Sequence, residues 1–195
     1  MKSLRILVAD DEAIIRLGLR TVLKEMGHQV VGAATDGVAA VQLARQIRPD
    51  LAILDIKMPG MDGLAAAEAI TAERPVPILI LTAYSDRELI ERAATLAVQG
   101  YLVKPIREAD LAPAIEIALA RFNEWQALQE EAASLQEALL TRDLVEQAKR
   151  LLMERNGLKE REAFLRIQHS SRRQHRPMRE VAEEVLRGDD GAFQL

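Results

Sequence analysis

The chain has 195 residues, 49% of them hydrophobic and 29% charged, with a formal net charge of -4 and no cysteine. That is one large domain or two modest ones with enough apolar surface for a core; disulfides, thiolate metal sites and cysteine nucleophiles are excluded, and 3% aromatic residues argues against a base-stacking surface. No run approaches the roughly 18 apolar residues of a membrane span, and the N-terminus opens directly on a strand-like run, so the expectation is a cytoplasmic protein without leader, anchor or membrane partner.

In chain order, five short apolar runs bounded by turn signals predict strands over residues 4–9, 29–34, 51–55, 77–82 and 99–103. Such runs suit strands buried on both faces of a parallel sheet. Helix-length stretches lie between them. Ile14, Leu17, Val22, Leu23 and Met26 mark the stripe of the first, and Val38, Val41 and Ile47 that of the second. The third covers residues 64–73 and the fourth 87–96, with Asp62 and Asp86 read as their N-caps. Alternating strands and helices predict a doubly wound α/β sheet, whose ligands bind at the carboxyl ends of its strands.

The second half holds no convincing strand. Pro113 suits a first helical turn, and from Ala114 to about Arg155 there is no Gly or Pro, which predicts one very long helix or two joined end to end. Trp125, Leu128, Ala132, Leu135 and Leu139 are spaced as a short heptad seam. Asn156-Gly157 reads as a helix stop, residues 159–173 as a second helix, and Pro177 as the opening of a third. The expected back end is a small three-helix bundle on a helical connector spanning 114–142, with a tail over 188–195.

Charge divides along the chain. Residues 141–187 carry 12 Lys+Arg against 8 Asp+Glu, whereas residues 1–140 carry 14 against 20. An acidic front and a basic back imply two domains with different partners.

The strand ends carry the chemistry. Asp10 and Asp11 follow the first strand, Asp55 ends the third, Thr82 ends the fourth, and Lys104 follows the fifth. In a doubly wound sheet these ends converge, and three carboxylates so close need a compensating cation. An all-oxygen cluster with open positions suits Mg²⁺ together with a phosphoryl group. Lys104 and Thr82 would hold the remaining phosphoryl oxygens.

Four blocks, ILVADDE at 6–12, ILDIKMPGMDG at 53–63, ILTAY at 80–84 and GYLVKP at 100–105, together resemble the receiver domain of two-component response regulators. The resemblance covers about residues 4–120 and implies a flavodoxin-like, five-stranded fold. It implies that Asp55 accepts a phosphoryl group from a sensor histidine kinase, and that Asp10, Asp11, Asp55 and the backbone carbonyl of Lys57 hold Mg²⁺. It further implies that Thr82 and Tyr101 form a switch pair and that the Lys104–Pro105 bond is cis. Beyond self-catalysed phosphotransfer and slow hydrolysis, no enzyme activity is expected.

The basic end has its own spelling. Arg142-x-x-Val145-x-Gln147-Ala148-Lys149, then Leu151-Leu152-Met153, Glu162-Ala163-Phe164, Ile167 and Glu180-Val181-Ala182, is similar to the ANTAR domain of AmiR- and NasT-like regulators. That likeness spans about residues 126–187 and implies transcription antitermination by binding hairpin RNA in leader transcripts. Arg150 and Ser171 stand where that family often has glycine and alanine, and Lys159 replaces a small polar cap. The density of cations selects Lys149, Arg150, Arg166, Arg172, Arg173, Arg176 and Arg179 as candidate RNA contacts. His169 and His175 lack partners at metal-ligand spacing.

The connector seam could pack on the receiver, on the bundle or on a second chain. The last option would make dimerisation respond to phosphorylation of Asp55. A receiver-controlled DNA-binding factor and a protein-interaction switch are the alternative readings of the output.

Overall fold

The computed structural model describes residues 3–83 and 98–188. The predicted helix over 87–96 and the cap Asp86 lie outside the described residues. The chain divides into two units, Met1–Gln126 and Ala127–Leu195. Among the described residues no helix is long and apolar enough to cross a membrane.

In the first unit five parallel strands, β1 (Arg5–Ala9), β2 (Gln29–Ala34), β3 (Leu51–Asp55), β4 (Ile78–Thr82) and β5 (Gly100–Val103), form one sheet in the order β2-β1-β3-β4-β5. The strand positions follow from the apolar runs. Every residue of β3 and β4 is buried, because helices cover both faces of the sheet. Register then aligns the chemistry: Asp55 pairs with Leu81, and Thr82 with Val103.

Helices α1 (Ala13–Glu25), α2 (Gly37–Ile47) and α3 (Gly63–Glu73) connect the strands. Asp62 caps α3 as expected, accepting a hydrogen bond from the Ala65 N–H at 2.7 Å, and Asp36 does the same for α2 through Ala39. Two apolar cores lie on opposite sheet faces. One joins Leu7, Leu54 and Ile80 to residues of α2 and α3, and the other joins Val8, Ile53 and Leu81 to Leu19 and Leu23 of α1. The predicted stripes of α1 and α2 need correction. Leu23 and Val41 are buried as expected, but Ile14, Leu17 and Val38 are 72%, 61% and 47% exposed, and Leu19, Ala40 and Ala44 face inward instead. Periodicity alone admits either neighbour of a stripe; the sheet chooses.

Helix α4 runs from Glu108 to Asn156, 49 residues, so the second half has one long helix here rather than two. It starts six residues before the expected Ala114, and Pro113 lies within it at the cost of one helical hydrogen bond. Leu111, Ile115 and Ala118 join the receiver's second core. The Phe122 and Trp125 rings lie 5.8 Å apart. Beyond them Leu128, Leu135 and Leu139 are 58%, 60% and 62% exposed, and Ala132 is also exposed.

The second unit packs the last turns of α4 against α5 (Glu160–Gln174) and α6 (Met178–Arg187). Its core is Val145, Ala148, Leu152, Ala163, Ile167, Val181, Ala182 and Val185. Gly157, at φ 63°, makes the predicted stop after α4. Lys159 offers no side-chain acceptor to α5, but the Glu162 carboxylate accepts from its backbone N–H at 2.8 Å, which supplies half of a capping box.

Candidate functional site

The sheet brings Asp10, Asp11, Asp55, Thr82 and Lys104 to one end. Carboxylate oxygens of Asp10, Asp11 and Asp55 lie within 4.8 Å of one another; Asp10 and Asp55 are buried and Asp11 is exposed. A crevice of about 300 Å³ opens beside them, lined by Asp11, Glu12, Asp55, Lys57, Ala83 and Lys104 among others. The Lys104 ammonium reaches in from the end of β5, 2.8 Å from Asp10 Oδ2 and 3.0 Å from Asp55 Oδ1, with 16% of its side chain exposed. Its backbone is held by the Lys104 N–H donating to the Thr82 carbonyl at 2.8 Å, and the Lys104–Pro105 peptide bond is cis.

Burial pushes the Asp55 carboxyl above the usual carboxylate range; the Lys104 ammonium pulls it down, and the charges of Asp10 and Asp11 add to the rise. Burial pulls Lys104 down, but its hydrogen bonds to Asp10 and Asp55 and their charges outweigh that and leave it above the ordinary lysine value. A single ammonium thus faces two buried carboxylates and an exposed third. The deficit of positive charge is the physical opening for a cation.

The donors fit Mg²⁺. They are all oxygens, and Asp10 Oδ2, fully buried, has the Lys104 ammonium 2.8 Å away as its ion-pair partner. Asp10 Oδ1 is already occupied, accepting from the Glu12 N–H at 2.8 Å.

Thr82 is buried, with its hydroxyl donating to the Ala83 carbonyl at 3.0 Å. Tyr101 lies on β5 with 57% of its surface exposed. Three residues of the site were given no role by the motif reading, although Glu12 and Gly63 lie within its blocks. Arg16 on α1 donates to the Asp10 carbonyl at 2.6 Å and holds the turn after β1. Glu12 stands 3.8 Å from Lys104 at the mouth of the crevice. Gly63, the first residue of α3, lies so close to Asp55 that a Cβ there would sit 1.9 Å from the Asp55 carbonyl oxygen.

The basic candidates of the second unit do not form one class. Arg150, Arg172 and Arg173 are exposed, and Arg166 is half-buried. Arg176 bonds Glu180 at 2.9 Å and Glu184 at 2.5 Å, and Arg179 bonds Glu183 at 3.0 Å. Lys149 departs furthest from its expected role as an RNA contact. Only 8% of its side chain is exposed, and its ammonium donates to both Glu146 oxygens and to Glu160. The motif showed a lysine on a basic unit; it could not show that two carboxylates close over it.

Comparison with known proteins agrees with this two-part organisation. Residues 6–116 match the family model of the response regulator receiver domain, and residues 133–186 match that of the ANTAR domain. The chain is 49% identical over 182 residues to the transcriptional regulatory protein PdtaR of Mycobacterium tuberculosis, covering 93% of this chain and 89% of that one. The signal receiver domain of a modulated diguanylate cyclase from Desulfovibrio desulfuricans superimposes with a TM-score of 0.59 at 31% identity, over 63% of this chain and 98% of the other. The receiver domain of AraT, a response regulator from Geobacillus stearothermophilus, gives 0.57 at 32% identity, over 64% and 99%. With an acidic crevice in its first unit and a basic helical bundle in its second, the chain belongs to the two-component response regulators that join a receiver domain to an ANTAR domain.

Proposed function

We propose that the chain is a phosphorylation-controlled transcription antiterminator. The observation that carries this is the Asp55–Lys104 pair, 3.0 Å apart in an oxygen-lined crevice, on the same chain as a basic ANTAR bundle.

An Asp55 carboxylate oxygen attacks the phosphorus of a phosphohistidine on a sensor kinase. The new O–P bond forms as the N–P bond breaks, and the histidine nitrogen leaves with the electron pair. Lys104 neutralises one equatorial oxygen, and the Thr82 hydroxyl turns from the Ala83 carbonyl toward another. Asp10, Asp11, Asp55 and the Lys57 carbonyl would hold Mg²⁺, which when bound supplies the positive charge that the three carboxylates lack. Ile14 and Leu17, exposed on α1 a few residues after Asp11, offer the kinase an apolar footing.

Withdrawal of the Thr82 hydroxyl leaves room for Tyr101 to turn inward from its exposed position, which repacks the face around β5. The exposed Leu128, Leu135 and Leu139 then pair with those of a second chain, and two bundles bind paired hairpins with a gain in effective concentration. Arg150, Arg166, Arg172, Arg173, Arg176 and Arg179 are the cations offered to phosphates and to unpaired loop bases.

Labelling by a small phosphodonor tests the first half: Asp55→Asn is expected to lose acid-labile phosphate, and persistent labelling would sink the acceptor. A gel shift at stated salt tests the second. Hairpin RNA is expected to shift and duplex DNA of the same length is not; the reverse result would favour a DNA-binding factor, and no shift with either a protein-interaction switch.

A further inference from the structure

The cation that the ANTAR likeness marked most plainly is the one the bundle uses internally. Lys149 is enclosed, and its ammonium donates to two carboxylates, with Glu146 Oε1 at 2.9 Å, Glu146 Oε2 at 3.0 Å and Glu160 Oε1 at 2.7 Å. These bonds hold it above the ordinary lysine value, with Glu146 the larger influence and Glu160 next. Glu146 lies one turn back on α4, whereas Glu160 opens α5 beyond the turn at Gly157. One ammonium therefore ties two helices across their connecting turn.

The tie also fixes how α4 is rolled about its own axis. Ala148, Lys149 and Leu152 are buried on one side, so Arg150, the next residue after the lysine, leaves on the exposed side. A helix advances 100° per residue, and a slip of one position would carry Arg150 into the enclosed place of Lys149. Bringing a phosphate to Lys149 would set that anion against two carboxylates already in contact with the ammonium.

We propose that Lys149 is a positioning residue of the RNA-binding bundle: it ties α4 to α5 through Glu146 and Glu160, sets the direction of Arg150, and contacts no RNA phosphate. This rests on the RNA-binding reading above.

A salt series on the full chain with hairpin RNA separates the roles, because each phosphate contact adds about 0.7 to 0.9 to the slope of log affinity against log salt. Lys149→Met is expected to weaken binding by about tenfold in protein that remains folded by circular dichroism, with the slope unchanged. Adding Glu146→Gln and Glu160→Gln removes the repulsion between the two carboxylates that Lys149 had bridged and is expected to restore most of the affinity. A slope reduced by about 0.7 in Lys149→Met, with no rescue by the two Gln substitutions, would show a phosphate contact and overturn the proposal. Unchanged affinity in Lys149→Met would overturn it too. If the wild-type chain binds no hairpin RNA, the RNA reading falls and takes the positioning role with it. Wild-type binding with a lost phosphate contact overturns the positioning role alone.

Discussion

Gly63 and Asp55 are in backbone contact: a Cβ on Gly63 would stand 1.9 Å from the Asp55 carbonyl oxygen and 2.8 Å from its carbonyl carbon. The Gly63 N–H also donates to the Ile56 carbonyl at 2.9 Å, so α3 starts directly against the end of β3. The glycine here supplies space rather than an unusual backbone angle. Gly63→Ala must displace either the helix or the acceptor's own peptide, neither of which is a flexible side-chain end. It is expected to lower stability by about 2 kcal/mol, measured by urea unfolding, and to slow Asp55 labelling further than the folded fraction explains. A variant with wild-type stability and labelling would show that the contact relaxes freely.

The raised Asp55 carboxyl has a pH signature with a definite sign. Its folded form holds the proton more readily than the unfolded chain does, so this group adds stability at low pH and loses it as pH rises through the folded value. Asp55→Asn, which cannot ionise, is therefore expected to melt higher than wild type near neutral pH, with the gap shrinking on acidification. Labelling should show the complementary trend, falling as pH drops through the same value because only the carboxylate attacks. A gap that widens toward acid would mean that Lys104 outweighs burial.

His28 has the opposite sign. It is buried just before β2; its Nδ1 accepts from the Leu4 N–H at 3.3 Å, and its Nε2 has no hydrogen-bond partner among the described residues. Burial, with the positive N-terminus as a smaller influence, holds its pKa below the ordinary value. The unfolded chain then takes up the proton first, so the stability present above the unfolded pKa of about 6.5 is lost as pH falls below it, by at most about 1.4 kcal/mol per pH unit. His28→Asn, whose Oδ1 can replace Nδ1 as acceptor, is expected to flatten that slope between pH 7 and 5. An unchanged slope would assign the acid sensitivity to another group.

The connector leucines give a prediction on mass. Leu128, Leu135 and Leu139 repeat at a heptad spacing with more than half of each side exposed. Light scattering with a phosphoryl mimic at Asp55 is expected to give a dimer, and Leu135→Lys with Leu139→Lys a monomer, at unchanged receiver labelling. A monomer from the wild-type chain with the mimic would refute the dimer switch.

Much of the receiver was legible beforehand because its strands are apolar on both faces, and strand ends in such a sheet converge whatever the helices do. Asp10, Asp11, Asp55, Thr82 and Lys104 could be placed together from spacing. Other features depended on approach distance, which no period records. The block at 53–63 contains Gly63 but does not reveal its approach to the Asp55 carbonyl, and nothing in the spelling sets Arg16 against the Asp10 carbonyl.

What the sequence determined alone was the order of strands and helices, the acidic crevice, the long helix free of breakers after Pro113, and the basic bundle behind it. These follow from local hydrophobic period, from turn chemistry and from composition. Tertiary structure decided which residues of each stripe face inward, leaving Ile14, Leu17 and Val38 outside. It also decided that Lys149 serves the bundle's interior while Arg150 faces solvent. A charged residue's task depends on which opposite charges fold over it, and Glu160 reaches Lys149 only once α5 has turned back at Gly157.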